Sequence, residues 1–185
     1  YNAMRRVVLG DRNLEKISLL NDLSRKMVIG SCSLDYAFEK MKDIKDKTRY
    51  SNLAVLSALT ISAPFFAIMF GGTFKDSIVA FLVMAVEVAF LLFIGRYKII
   101  SFLTNFLGAF ISTVLVMILT KFLFIHNPVS IIIVSLMPLV PGVQVTNSVR
   151  DFMAGDYLSG IIGLQSAIFI STAIALGVIM GLKVV

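Results

Sequence analysis

Two places in this 185-residue sequence combine residue types that could do chemistry. The first is Glu87, the one charged residue in the stretch Ser77–Gly95. An ionisable group at the centre of a bilayer costs roughly 2.5–3.5 kcal/mol on insertion scales. A carboxyl there either couples transport to a proton or cation, or sits neutral in a hydrogen bond to a neighbouring helix. The second place is residues 137–160, MPLVPGVQVTNSVRDFMAGDYLSG. Pro138 and Pro141 remove backbone donors and Gly142 permits a sharp turn, so a helix breaks here. Broken backbone at membrane depth is tolerated only where protein or a water-filled cavity surrounds it. Freed carbonyls and a new helix N-terminus at Val143 or soon after can then face a solute, and the positive end favours a carboxylate. Gln144 either lines that cavity or bonds the broken backbone. Thr146 and Asn147 supply neutral hydrogen bonds, and Arg150 and Asp151 can pair with each other or gate the path.

Soluble catalysis finds no support. There is no His-Glu-x-x-His, no Walker-type phosphate loop and no Gly-x-Ser-x-Gly. One histidine (His126) and one cysteine (Cys32) cannot build an ordinary zinc site, so neither a metal nor a cofactor is expected. Gly155-Asp156 invites comparison with intramembrane aspartyl proteases. Those need Gly-x-Gly-Asp, and Met153 occupies the first glycine position. His126, beside Asn127-Pro128, reads as an interfacial residue, and Lys121 as a snorkelling one.

The elements that must carry these residues are mostly apolar. The hydrophobic fraction is 58% and the mean hydropathy +0.91, above the roughly 45–50% apolar content of soluble domains. Charge is concentrated at one end: residues 1–50 hold eleven of seventeen Lys/Arg and seven of eleven Asp/Glu. This divides the chain into a polar head, 1–50, and a membrane body, 51–185. In the head, residues 11–29 predict an amphipathic helix capped by Asp11 or Asn13 and stopped at Gly30. Ser33 caps a second helix that carries Leu34, Ala37, Phe38, Met41 and Ile44 on one face. The result is a juxtamembrane helical hairpin. Its basic character, including Lys47 and Arg49, fits the positive-inside rule and lipid headgroups rather than nucleic acid. Tyr1 in place of Met suggests a start inside a longer protein. The single Cys32 fits a reducing cytoplasm.

The body predicts an all-α bundle of about five membrane segments. Leu53–Phe70, Ser77–Gly95, Ile99–Phe124 and Ile161–Leu182 are long enough to span. Val129–Val140 is too short to cross alone. With the head inside, Arg96 and Lys98 fall inside, as does Arg150 if the short segment completes a crossing, while Lys75 faces out and Lys183 ends outside. Small residues recur at four-residue spacing: Thr104, Gly108 and Ser112; Ser159, Gly163, Ala167, Ser171 and Ala175; Ala173, Gly177 and Gly181. Such stripes let helices approach closely in lipid, so Gly108, Gly163, Gly177 and Gly181 are expected to pack helices.

Residues 137–160 resemble the signature of the threonine/serine exporter family, which includes fused and two-component exporters. The matching pieces are Pro138-Leu139-Val140-Pro141-Gly142, Thr146-Asn147, Arg150-Asp151, Gly155-Asp156 and Gly160. Weaker matches are Leu14 and Asn21, the second head helix, Tyr50, Gly71-Gly72 and Asn105-Phe106. The resemblance implies an inner-membrane secondary exporter of small carboxylate metabolites, amino acids such as serine and threonine or dicarboxylates such as succinate. It also implies a companion membrane subunit carrying the second transmembrane half, in a hetero-oligomer. On that basis the substrate path comprises Pro138, Pro141, Gly142, Gln144, Thr146, Asn147, Arg150 and Asp151, with Glu87 as the proton-coupling candidate. The competing expectation is a non-transporting membrane subunit that anchors or regulates a partner, but an anchor needs no broken helix.

Overall fold

The computed structural model describes residues 14–46, 51–97, 99–123 and 125–185, and every regular element among them is a helix. Tyr1, Asp11, Asn13, Lys47, Arg49, Tyr50, Lys98 and Phe124 lie outside the described residues. The chain divides into two compact units, Tyr1–Tyr50 and Ser51–Val185.

In the first unit, α1 (Leu14–Val28) and α2 (Leu34–Asp46) pack as a hairpin on Leu23 and Ala37. Gly30 turns at φ +73°, and Ser33 Oγ accepts the Tyr36 amide at 3.3 Å as the cap of α2. A cavity of about 330 Å³ lies between the two helices, lined by Leu19, Asp22, Lys26, Tyr36 and Lys40 among others.

The second unit holds α3 (Asn52–Met69), α4 (Phe74–Ile94), α5 (Ser101–Leu123), α6 (Pro128–Leu136), α7 (Gly142–Met153) and α8 (Tyr157–Val184). Helices α4, α5 and α8 are long and apolar enough to cross a membrane. α3 is equally apolar but shorter; its eighteen residues rise about 27 Å. The 28 residues of α8 rise about 42 Å, more than a bilayer core, so the helix must tilt or protrude.

Caps explain where these helices start. Thr73 and Asp76 form a reciprocal capping box at α4, Asn127 Oδ1 accepts the Ser130 amide at 3.2 Å at α6, and Asp156 caps α8 through the Ser159 amide. Hydrogen bonding from the Ser159 side chain, with its amide second, holds the Asp156 carboxyl below the usual carboxylate range. The α3–α4 turn needs a left-handed residue, and Gly71 supplies it at φ +82°.

Packing separates into two neighbourhoods. α6 is wedged against α3, α4 and α5, where Ile131 and Val134 join Ala63, Val83 and Met84 in the larger core. α8 packs along α5, and α7 folds back on α8. A smaller core of Ala109, Leu139 and Ile174 links α5, the α6–α7 break and α8.

Close approach in the second neighbourhood depends on glycine. A methyl group built on Gly177 would stand 2.5 Å from the Phe106 carbonyl oxygen, and one on Gly181 2.8 Å from Thr113 Cβ. Gly163 receives Ser148 of α7, and Gly160 receives the Phe152 ring. The stripe predicted from Ser159 to Ala175 divides accordingly: Gly163 and Ala167 pack, while Ser159, Ser171 and Ala175 are exposed.

Candidate functional site: a broken helix and a buried carboxyl

The expected break is present. Between Leu136 and Gly142 the backbone leaves the helical hydrogen-bond pattern and makes only short turns, Leu139 N–H to Leu136 carbonyl (3.0 Å) and Gly142 N–H to Val140 carbonyl (2.8 Å). Pro138 and Pro141 have no N–H to continue α6, so the chain reorients there. α7 begins at Gly142 with no side-chain cap on its first amides. Gly142 itself departs from expectation. Its φ is not in the left-handed region and a methyl group there would meet nothing within 4 Å. The prolines make the break, and the residue whose geometry demands glycine is Gly155, at φ +82° in the α7–α8 turn.

α7 carries five of the predicted path residues on one polar arc. At 100° per residue, Gln144, Asp151, Asn147, Arg150 and Thr146 share one side of the helix, with the exposed Val143 between Asn147 and Arg150, while Ser148 and Phe152 face α8. Gln144, Thr146 and Arg150 are exposed, and Asn147 and Asp151 are half-buried. Thr146 Oγ1 donates to the Gly142 carbonyl at 2.9 Å and Ser148 Oγ to the Gln144 carbonyl at 2.8 Å, so these hydroxyls also satisfy the helix itself. Arg150 and Asp151 form no ion pair with each other among the described residues. In this unit the arc lies on the outside. The reason is topological: α7 packs mainly on α8, which leaves its polar side uncovered.

Glu87 occupies a different place, between α4 and α5. It is 1% exposed, and its Oε2 is in hydrogen-bond contact with Ser112 Oγ, itself 1% exposed. Ser112 Oγ also donates to the Gly108 carbonyl at 2.9 Å. Glu87 Oε1 has no partner among the described residues; Thr60 Oγ1 on α3 is the other buried side-chain atom in that condition. Gly108 makes room for the carboxyl, since a methyl group there would stand 2.7 Å from Oε1. The same methyl would stand 3.3 Å from Leu139 Cδ1. Thus Gly108, which the small-residue stripe marks only as a packing position, is the notch in which the acid and the break meet.

Three participants were not singled out as site residues from sequence: Ser112, Leu139 and Asp76. Ser112 lies in a small-residue stripe and Leu139 inside the Pro-Gly block, so each had a signal but no partner. Asp76, fully buried, accepts the Thr73 amide and hydroxyl and the His126 amide. His126 is exposed, in keeping with an interfacial position, and Lys121 is exposed with Nζ donating to the Val185 carbonyl at 2.9 Å.

Comparison with known proteins agrees with this architecture. The profile of the family described as "Putative threonine/serine exporter" matches residues 1–185. A curated protein of Mycobacterium tuberculosis, "Probable threonine/serine exporter", is 22% identical over 181 residues, covering 97% of this chain and 34% of its own length. The chain therefore spans about a third of that relative. No solved structure matches. With a whole-chain family match, long apolar helices and a Pro-Gly break, this chain is a membrane protein of a transporter rather than an enzyme family, and it belongs to the threonine/serine exporter family.

Proposed function

We propose that this chain is one half of a secondary-active exporter that moves small carboxylate metabolites out of the cell across the inner membrane. Serine and threonine are the first candidates, given the name of the curated relative, with dicarboxylates such as succinate next. The N-terminal region is cytoplasmic in this proposal, and a companion subunit supplies the second transmembrane half.

The observation that carries the proposal is the uncovered polar arc of α7. A charged side chain facing lipid costs roughly 2.5–3.5 kcal/mol at mid-membrane, so Arg150 and Asp151 need water or protein against them. A second half packed near this face would turn the arc into the wall of a water-filled path at the interface of two repeats, where transporters of this kind bind solute. The chemistry suits an amino acid: Arg150 for the carboxylate, Asp151 for the ammonium group, and Gln144, Thr146 and Asn147 for a side-chain hydroxyl.

The test is efflux from proteoliposomes loaded with serine, threonine or succinate. Vesicles containing this chain and its companion should export one of them faster than empty vesicles, and this chain alone should not. Full activity from the single chain would remove the companion from the proposal.

A further inference from the structure

Ser112 Oγ stands within hydrogen-bonding range of two oxygen acceptors, the Gly108 carbonyl and Glu87 Oε2. A serine hydroxyl has one hydrogen. If that hydrogen bonds the Gly108 carbonyl, the contact with Glu87 needs a hydrogen from the carboxyl. If it bonds Glu87 instead, the Gly108 carbonyl loses it, and a carboxylate remains with Oε1 unpartnered in an apolar interior. Only the first arrangement hydrogen-bonds both contacts. No cation among the described residues offsets a carboxylate there. α3 and α6, packed on α4, contain no Asp, Glu, Lys, Arg or His; the one charge on α5, Lys121, is exposed at its far end. On α4 itself Lys75 is exposed, and Asp76 is engaged at the loop end by Thr73 and His126.

Leu139 lies beside this carboxyl at the Gly108 notch. It is 5% exposed, it abuts the Gly108 notch that holds Oε1, and it belongs to the core with Ala109 and Ile174. Leu139 is also carried by the break between α6 and α7, where Pro138 and Pro141 leave only short turns in place of helical hydrogen bonds. The side chain beside the notch is thus mounted on a segment without a continuous helical hydrogen-bond ladder.

We propose that Glu87, Ser112, Gly108 and Leu139 form a gated proton site, in which Glu87 holds a proton against Ser112 and Leu139 is the plug that admits or excludes water. Movement of the break withdraws Leu139; the Glu87 proton then passes to water, and the carboxylate is re-protonated before the plug reseats. This deepens the exporter proposal and rests on it for its purpose, because it places the coupling acid under control of the same break that starts α7.

Two measurements on the full chain in lipid, neither using a transported solute, test the site. Infrared difference spectra at neutral pH, wild type against Glu87→Gln, should show a carboxylic-acid carbonyl band that the variant lacks. A carboxylate band in its place would overturn the proton assignment. The second measurement is modification of Glu87 by a hydrophobic carbodiimide, which adds to a protonated carboxyl and rearranges to an N-acylurea read by mass spectrometry. Leu139→Ala should speed this by about tenfold or more, since truncating a packed leucine favours opening by at least the equivalent free energy. The volume-matched Leu139→Met should react like wild type. Equal rates in wild type and Leu139→Ala would overturn the plug; Leu139→Val carries the same comparison if the alanine variant does not assemble. If the reconstituted pair exports no solute while both measurements succeed, the exporter proposal falls and the proton site stands.

Discussion

The buried Asp76 carboxylate joins the start of α4 to the backbone of His126, fifty residues further along the chain. Its Oδ2 accepts the Thr73 amide at 2.8 Å and the Thr73 hydroxyl at 2.9 Å, while Oδ1 accepts the His126 amide at 3.1 Å. One side chain thereby caps α4 and pins the loop that leads into α6. Asn127 adds to the same clasp by donating to the Gly71 carbonyl at 3.3 Å. The short α6 has its entry held at this end, and its exit is the Pro138–Pro141 break.

Asp76→Ala removes a cap and leaves buried donors without partners, which should cost about 2–3 kcal/mol. Asp76→Asn keeps the shape but turns an amide N–H₂ toward one set of donors, and should cost about half as much. Thermal unfolding of the purified protein in detergent reads both. An Asp76→Ala variant that melts with wild type would show the clasp to be dispensable.

Gly177 and Ala175 differ by two positions on α8 but face opposite surroundings. Gly177→Ala puts a methyl group 2.5 Å from the Phe106 carbonyl oxygen and 3.0 Å from Ala109 Cβ. Because this contact is with backbone, α5 and α8 must separate, at about 1–3 kcal/mol. Ala175→Leu adds volume on the exposed side and should change the melt of this chain by less than about 0.5 kcal/mol. The reverse ranking would mean that the α5–α8 crossing is misplaced.

The two glycines that bracket α7 should respond differently. Gly155→Val forces a β-branched residue to φ +82° and should destabilise the α7–α8 turn by about 1–3 kcal/mol. Gly142→Ala meets open space at an ordinary φ and should fold and melt as wild type. Any loss of efflux in Gly142→Ala then reports on the path and not on folding.

Glu87→Gln and Arg150→Ala separate coupling from binding. Glu87→Gln retains the volume and a polar contact to Ser112, so it should assemble with the companion yet lose the pH dependence of export. Arg150→Ala removes a charge-assisted partner for the solute carboxylate, worth about 1.5–3 kcal/mol, and should lower efflux and exchange together by roughly tenfold or more. Both are measured on proteoliposomes containing both subunits, with assembly checked by size-exclusion chromatography. Wild-type pH dependence in Glu87→Gln would assign Glu87 to helix packing alone.

What the sequence determined by itself is local and follows from chain chemistry. Apolar runs bounded by Gly71-Gly72, Gly95 and Asn127-Pro128 place the helix ends, because caps, turns and missing proline donors act within a few residues. The break at Pro138 and Pro141 was legible for the same reason. The meeting of distant residues was decided only by the tertiary structure. Gly108 and Gly177 look alike as members of small-residue stripes, yet one admits a carboxyl and the other a helix backbone. Ser112 pairs with Glu87 across 25 residues, and Leu139 reaches the same Gly108 notch from a different segment. Spacing along one helix specifies which residues share a face, but the neighbour on that face depends on how several helices pack at once, and that depends on the whole bundle.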